Sequence, residues 1–436
     1  MSAQYLELFE AFAGNGGGSG PTWVPAFRRA AFDRFAQLDF PSSRDEEWKF
    51  TPIGPIASEV WPPAKPSTRL PTLEQLAGFA FGHEEWDRVV LVNGSYAPSL
   101  SRGVDAPGKV RILSLRAALE VESDLVNRHL GRLARVDATA FAALNGAFLH
   151  DGAVVIVPPG TELSEPVHLL SVTTAEAGNA GLHPRYLLIV GDGARAQFVE
   201  SYVTLAPGSR YLTNAVMEVV VGANSWVEHT RIQQESEAAF HIGLTEVEQQ
   251  RDSHYRSFSF AMGGAIARHN LHSRLDAPNT EALLYGLYFG RGEQLVDNHT
   301  AIFHNQPNCR SWEVYKGILD GKSHGVFNGK ILVKPEAQKT DAKQTNRALL
   351  MSNTAKIDTK PQLEIFADDV KCTHGAAVGQ MDEAALFYLQ SRGIPSIEAR
   401  QLLTYAFAAE VLAEIASEPV RTALDRVVTD RLRHAT

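Results

Sequence analysis

Two segments of this sequence can be superimposed, and their spacing constrains the fold more than any other feature. Gly193-Ala194 followed by Phe198-Val199-Glu200 matches Gly222-Ala223 followed by Trp226-Val227-Glu228, which gives a repeat of roughly 28–30 residues. Less regular copies continue through GLYFGRGEQLVDNH, SHGVFNGKILVKPEAQKTDAKQ and QLEIFADDVKCTHG. The copies are β-branched or aromatic runs separated by Gly, Asp or Asn turns. They predict a β-solenoid, in which each coil buries its face on the next.

A β-sandwich is the alternative fold for short strands joined by tight turns. The strand-like pattern begins near residue 141 and continues for more than about 200 residues, which is longer than one sandwich requires. Helical periodicity precedes and follows it. We therefore predict a mainly β chain in three parts: a mostly helical region at 1–140, a parallel β-helix core at 141–381 and a C-terminal helical domain at 382–436.

Helical spacing is clear at both ends of the chain. AQYLELFEAF and PAFRRAAFDRFAQL flank GNGGGSG (14–20), which we interpret as a flexible linker, because it lacks G-x-G-x-x-G spacing and a preceding strand. Near the C-terminus, Gly393 should end one helix and Pro395-Ser396 should begin the next. The predicted apolar stripe of that second helix comprises Leu402, Leu403, Ala406, Phe407 and Val411. A domain of about 50 residues should pack on the solenoid or on a partner.

Charge and composition exclude several classes of function. The 436-residue chain has a net charge of −9, whereas nucleic-acid and anionic-membrane binding require basic surface. Its first residues, MSAQYLELFEAFAG, do not read as a secretory signal, and no apolar run approaches the ~20 residues of a membrane span. The two cysteines, Cys309 and Cys372, fit a reducing compartment. We expect a cytoplasmic protein that binds neither nucleic acid nor membrane.

KGILDGKSHG (316–325) contains a Gly-Lys-Ser that is similar to the end of a phosphate-binding P-loop. Gly317 and Gly321 enclose three residues where the motif needs four. The following HGVFNGKILV predicts a strand, whereas a P-loop must open a helix. We therefore interpret this segment as a solenoid turn, and we do not expect the chain to hydrolyse nucleotides.

The histidines and carboxylates of the β region form no closely spaced set. A structural role is the expectation for any one of the histidines, which are His229, His269, His299, His304, His324 and His374. The carboxylates are equally scattered: Asp297, Glu313, Asp341, Glu364, Asp368 and Asp369. Only three-dimensional proximity could make two of them an acid/base couple. A stand-alone β-solenoid enzyme acting on carbohydrate is the alternative function that such a couple would support.

DDVKCTHGAAVG (368–379) holds the most reactive combination of residues in the sequence. In a strand, Cys372 and His374 point to the same face and Thr373 points to the other. Both are competent metal ligands, but two ligands do not complete a zinc or iron–sulfur site. The remaining ligands would have to come from other coils or from a second subunit. Structural packing, metal binding and Cys–His nucleophilic catalysis all remain open from the spacing alone.

Longer motifs carry a resemblance to a known family. These are RDEEWKFTPI, FAALNGAFLHDGAVVIVPPG, the stretch from GLYFGRGEQLVDNH to QTNRALLMS, and DTKPQLEIFADDVKCTHGAAVGQMDEAALFYLQSRGI. Together they resemble the SufB/SufD family of iron–sulfur cluster assembly proteins from about residue 40 to 415. TKPQLEIFADDVKCTHGA is similar to the SufD branch. The resemblance implies that SufB-like members carry a cysteine one coil earlier, where this chain reads AKQTN (342–346), with Asn346 near the equivalent place and no thiol.

The resemblance implies a fold, partners and site residues. It implies a right-handed parallel β-helix between helical ends, pairing with SufB through the C-terminal end of the β-helix, and binding of the ATPase SufC through the C-terminal helices. ATP hydrolysis would then belong to SufC, and this chain would be a non-catalytic scaffold subunit. His374 and, second, Cys372 would bind a transient iron–sulfur cluster or iron together with SufB. The resemblance also implies that the complex can carry a reduced flavin. The isolated chain, with an unpaired solenoid edge, is expected to form a homodimer.

Overall fold

The computed structural model describes residues 2–14, 20–79, 85–104 and 110–433. Most of the predicted linker GNGGGSG, at 15–19, lies outside the described residues. The helices of the described ranges are α1 (Ser2–Phe12), α2 (Trp23–Leu38), α3 (Gly54–Ala57), α4 (Leu73–Leu76), α5 (Leu115–Val121), α6 (Ser123–His129), α7 (Ala140–Ala147), α8 (Glu383–Ser391), α9 (Ser396–Leu412) and α10 (Glu418–Arg433). None of these helices is both long and apolar enough to cross a membrane.

Strands occupy most of the chain between α7 and α8, and three precede them. In order they are β1 (Arg88–Val92), β2 (Ser95–Tyr96), β3 (Arg111–Ser114), β4 (Gly152–Val157), β5 (Val167–Thr173), β6 (Gly181–Leu182), β7 (Arg185–Val190), β8 (Arg195–Thr204), β9 (Leu212–Val221), β10 (Trp226–Gln234), β11 (Phe240–Gln249), β12 (His254–Ala261), β13 (Ile266–Leu275), β14 (Glu281–Gly290), β15 (Leu295–His304), β16 (Arg310–Leu319), β17 (His324–Val333), β18 (Asp341–Leu350), β19 (Lys356–Ile365) and β20 (Lys371–Gly379).

The strands form two long sheets that make a parallel β-solenoid of about eight turns. From β7 to β20, successive strands alternate between the sheets, and each pairs in parallel with the strand two places later. One sheet ends at β20 and the other at β19. This pairing confirms the predicted solenoid and excludes the sandwich, whose sheets would be antiparallel. At the other end, β1 and β3 from the N-terminal region extend the two sheets.

The sequence repeat is real, but the matched residues do not stack on each other. Phe198 pairs with His229, and Trp226 pairs with Arg195, so the structural register differs from the sequence match by three positions. Because side chains alternate along a strand, an odd shift reverses the face. Phe198 is accordingly 1% exposed inside the solenoid, whereas Trp226 is 44% exposed on its surface. Similar residues in the two segments reveal the repeat, whereas side-chain packing inside the coil sets the register in which the strands pair.

The main hydrophobic core lies between the two sheets, in the lumen of the solenoid. Interior glycines make room there for large aromatic rings: a Cβ on Gly286 would collide with the ring of Tyr315, and one on Gly317 would collide with Tyr288. A second core forms where α9 and α10 pack on the outside of the sheet that contains β10, β12, β14 and β16. The C-terminal helices therefore rest on the solenoid, which explains how so short a segment is stable.

The predicted stripe on α9 only partly matches the buried face. Val411 is buried, but Leu402 is 49% exposed and Ala406 is also exposed. The face on the solenoid is centred on Ala408, Val411 and Leu412, and Phe407 of the predicted stripe packs beside them, partly buried. The prediction was wrong here because α9 is apolar around much of its circumference, so periodicity alone could not select the packed face.

Candidate functional site

The C-terminal end of the solenoid is open. The last strands, β19 and β20, each pair with a neighbour on one side only, so both sheets end in a row of unpaired backbone groups. Large apolar side chains rim this end: Phe366 is 62% exposed, Val378 48% and Ile365 38%. Open sheet edges with apolar side chains are templates for pairing with another chain. This end is therefore a surface suited to a partner.

Cys372 and His374 lie on β20, at the mouth of the lumen. The register places Cys372 beside Ala342 and His374 beside Gln344. Ala342 and Gln344 are 0% and 1% exposed and face the interior, so both residues of the last strand stand over the lumen, on one face as strand alternation predicts. Cys372 packs against the main core, whereas His374 is exposed.

The environment of Cys372 disfavours its ionised form. Burial raises the pKa of the thiol, and a backbone hydrogen bond at Ala342 opposes that rise only in part. A thiol with a raised pKa is a poor nucleophile near neutral pH, because the thiolate is the reactive species. A metal ion could still deprotonate it on binding. The geometry therefore favours a ligand or a packing role for Cys372 over Cys–His nucleophilic catalysis.

The described residues do not assemble a complete metal site by themselves. Within the ranges that the structure describes, no group of three or more His, Cys, Asp or Glu side chains could hold a metal ion. Cys309 lies two coils below the mouth, buried against Thr280 at 3.1 Å from Sγ to Oγ1, and burial raises the pKa of its thiol. Two coils correspond to about 10 Å. Cys309 is therefore not a third ligand beside Cys372.

Asn346 lies near the position at which the family resemblance predicts a cysteine in SufB-like sequences. It is buried in the lumen, one coil inside the mouth, and pairs in register with Ala376. An amide cannot act as a sulfur acceptor in place of a thiolate, and the structure puts no thiol at this position. The mouth therefore offers Cys372 and His374 as its soft or borderline ligands.

The remaining histidines are engaged with protein partners. His229, His269 and His304 lie inside the solenoid, where they contact Glu200, Thr245 and Ser311 at 3.0, 3.0 and 2.8 Å. His299 and His324 lie on an outer face beside Asp297 and Asp358, at 3.1 and 2.7 Å. These contacts favour structural roles for all five.

The candidate carboxylates also have separate partners. Asp297 binds Arg268 at 2.9 Å and Glu364 binds Lys330 at 2.7 Å, and Asp369 is paired with Lys339. Glu313 lies in the lumen without a cation beside it among the described residues, and burial raises its pKa to about 7 against the opposing hydrogen bonds of Thr300 and Gln344. These four carboxylates do not form the acid/base couple that a carbohydrate-cleaving enzyme would need. The Gly-Lys-Ser segment is a turn that leads into β17, as predicted.

Comparison with known proteins identifies the family. Residues 172–407 match the family described as SUF system FeS cluster assembly, SufBD core domain, and residues 1–169 match the SufBD protein N-terminal region. This chain belongs to the SufBD family. It is 34% identical to an iron–sulfur cluster assembly SufBD family protein of Synechocystis, with 93% of this chain and 90% of that protein covered.

Within the SufBD family, the chain is SufD-like. It is 32% identical to the iron–sulfur cluster assembly protein SufD of Escherichia coli, over 87% of this chain and 86% of that protein. The SufD of Bacillus subtilis is 27% identical, with 95% of each chain covered. The predicted family membership and the SufD-like character of the chain are confirmed. The roles of Cys372 and His374 stay predictions.

Sequence reasoning missed the residue directly beneath His374. Gln344 reads as one polar residue in DAKQTNRALL, and nothing in its local pattern distinguishes it. In the structure it lies one coil inside the mouth, and its Nε2 donates to Oε2 of Glu313 at 2.8 Å. Stacked positions in a solenoid are about 30 residues apart, and this spacing relates Gln344 to His374. It identifies the stacked residue only when the exact pairing of neighbouring strands is known.

Proposed function

We propose that this SufD-like chain is a scaffold subunit that pairs with SufB, and that nascent iron–sulfur clusters are built at the joint. The observation that carries the proposal is the incomplete ligand set at an open sheet end. Cys372 and His374 stand at the mouth beside two unpaired strand edges, and a zinc or iron–sulfur centre takes about four ligands. A sister subunit docked on those edges would supply the rest.

The proposal assigns ATP hydrolysis to SufC and makes the present chain non-catalytic. The C-terminal helices support SufC docking because they leave large apolar side chains in solvent after packing on the solenoid: Phe387 is 72% exposed, Ile397 58% and Tyr388 57%. At the mouth of the solenoid, the iron–sulfur cluster or iron is held transiently as the material being assembled. A reduced flavin in the complex is carried forward from the family resemblance, and visible absorbance of the purified complex would check it.

We propose that cluster assembly by this chain takes place in the cytoplasm. Cys309 and Cys372 are both free thiols, and reducing compartments keep thiols in that form. When SufB is absent, the same open end should pair with a second copy of this chain.

His374→Ala, co-expressed with SufB and SufC, tests the ligand assignment. We expect an intact three-protein complex whose iron and sulfide content falls by about tenfold or more, because the site loses a ligand that the rest of the chain cannot replace. Acid-labile sulfide, iron and visible absorbance are the measurements. Thr373→Ala is the matched control, since Thr373 is exposed on the same strand and points to the other face. A complex with normal cluster content in His374→Ala would reject the assignment.

A further inference from the structure

Three lumen residues near the mouth form a single ladder across the last coils. Glu313 on β16 pairs in register with Gln344 on β18, and Gln344 pairs with His374 on β20. Adjacent parallel strands are about 4.8 Å apart, so side chains at one ladder position stack directly on each other. Glu313 and Gln344 are each 1% exposed, and His374 is the exposed last member. The ladder therefore connects a buried carboxyl with the proposed ligand.

The side-chain amide of Gln344 is held in place from two sides. Its Nε2 donates to Oε2 of Glu313 at 2.8 Å. A Cβ at Gly329, on the opposite sheet, would collide with the same amide, so the absence of a side chain at Gly329 makes room for Gln344 to extend across the lumen. One N–H of Nε2 is donated to Glu313, and the amide oxygen is the acceptor that Gln344 can offer to another residue.

That amide oxygen has no donor. Oε1 of Gln344 is buried and makes no hydrogen bond within the described part of the chain. Buried amide oxygens are normally satisfied, and one without a partner marks a position where a donor is expected to arrive. The next lumen position along β20 is Ala376, which carries no donor. His374 is the donor-bearing side chain stacked on Gln344.

We propose that Gln344 is a positioning residue for His374, whose ring N–H donates to Oε1 of Gln344. Resting on the proposed function of His374, this arrangement would make a carboxylate–amide–imidazole chain from Glu313 outward. Hydrogen bonding of one ring nitrogen fixes the tautomer and leaves the lone pair of the other for a metal. Gln344 thus selects which nitrogen of His374 faces the cluster or iron.

The test reads the tautomer of His374 directly in the full-length chain. Histidine ring nitrogens are labelled with ¹⁵N, and the His374 signals are assigned by their loss in His374→Ala. We expect one tautomer in the wild type and a mixture in Gln344→Met, which keeps the volume of the side chain but removes the acceptor. Iron(II) binding by the three-protein complex should weaken about tenfold or more in the same variant.

Two further variants keep the proposal falsifiable if Gln344→Met does not fold. Gly329→Ala should displace the amide and also give mixed tautomers. Glu313→Gln should retain the single tautomer, because an amide oxygen can still accept from Gln344. Thr359→Val is the matched control: its hydroxyl is another unpartnered group of the last coils, and its removal should leave the His374 tautomer unchanged.

The outcomes separate this inference from the proposed function. An identical tautomer population in wild type, Gln344→Met and Gly329→Ala would overturn the role of Gln344, whatever His374 binds. A change of tautomer in Gln344→Met with normal cluster content in His374→Ala would support the hydrogen bond and reject His374 as a ligand. Loss of the single tautomer in Thr359→Val, with no change in Gln344→Met, would show that Thr359 and not Gln344 fixes the His374 ring, and would also overturn the inference.

Discussion

At the scale of single residues, buried charge in this chain is held in pairs, as Arg185 and Glu218 illustrate. Both side chains are 0% exposed, and they form an ion pair. Glu218 also accepts backbone N–H groups from Gly131, Leu133 and Ala134 at 2.8, 2.9 and 3.1 Å. Through these hydrogen bonds, one carboxylate on β9 of the solenoid holds the segment that follows α6. Every acceptor position of Glu218 is used, which is how a fully buried charge becomes tolerable.

Glu218→Ala should be strongly destabilising, because it leaves Arg185 charged and buried without its partner. We expect a loss of about 3–5 kcal/mol in the free energy of unfolding, measured by urea denaturation. Arg135→Ala is the control: Arg135 is 66% exposed and pairs with Asp137, and ion pairs in solvent contribute little to stability. Similar losses in the two variants would contradict the assigned role of burial.

At the scale of elements, two surfaces in the described part of the chain are suited to contacts with other chains. The first is the outer side of α8 and α9, where Phe387, Tyr388, Ile397 and Leu402 are 49–72% exposed. The second is the pair of strand edges at β19 and β20. Apolar side chains clustered in solvent and unpaired strand edges both indicate contact with other chains. The elements therefore suggest two partners on two separate faces.

Phe387→Ser combined with Ile397→Ser should abolish co-purification with SufC and leave the stability of the chain unchanged. The two side chains already lie in solvent, so their loss removes a docking surface without opening the core. Truncation of the helices would be a poorer test, because α9 and α10 cover an apolar face of the solenoid. Val121→Ser, at a residue 60% exposed on α5, should retain SufC; retained binding in the double variant would reject this surface.

On the proposed pairing through this edge, Val378→Lys should make the isolated chain a monomer and weaken its pairing with SufB. A lysine on an edge strand opposes pairing, because association would bury its charge. Light scattering after size-exclusion chromatography measures the oligomeric state, and co-purification measures SufB binding. Val121→Lys, also at an exposed valine, is the control. A dimeric Val378→Lys chain that still binds SufB normally would show that this edge is not the interface.

At the scale of the whole molecule, several histidines are buried deeply enough to be held in the neutral form. Burial lowers the pKa of His168 to about 3, with the nearby charge of Arg88 as a second cause, and the pKa of His183 to about 3. Burial alone lowers the pKa of His304 to about 4. In the unfolded chain each would have a pKa of about 6.5. Below that value the unfolded state therefore binds more protons than the native state does.

The stability of the whole chain should consequently fall as the pH is lowered through about 6 towards 4. Three such histidines give a slope of about 4 kcal/mol per pH unit, since one pKa unit is worth about 1.4 kcal/mol. Urea denaturation at several pH values measures the slope. His168→Gln should reduce it by about a third, as glutamine can keep the contact with Ser201 but does not titrate. An unchanged slope in that variant would contradict the buried neutral state.

The sequence by itself was enough to predict the solenoid, because a solenoid is built from local repeats whose period is visible along the chain. It also placed Cys372 and His374 on one face, since strand alternation is a property of two or three residues. Local chemistry likewise excluded the P-loop: the motif's spacing and the strand after it, β17, are both short-range features. What these features share is that each depends on neighbours in sequence.

Only the tertiary structure decided which residues stack. It placed Phe198 on His229, and not Trp226 on Phe198, and it chose the buried face of α9. It also brought Glu313, Gln344 and His374 into one ladder, although about 30 residues separate each member from the next. The physical reason is that register is set by side chains filling a shared lumen, and that packing depends on all the coils together.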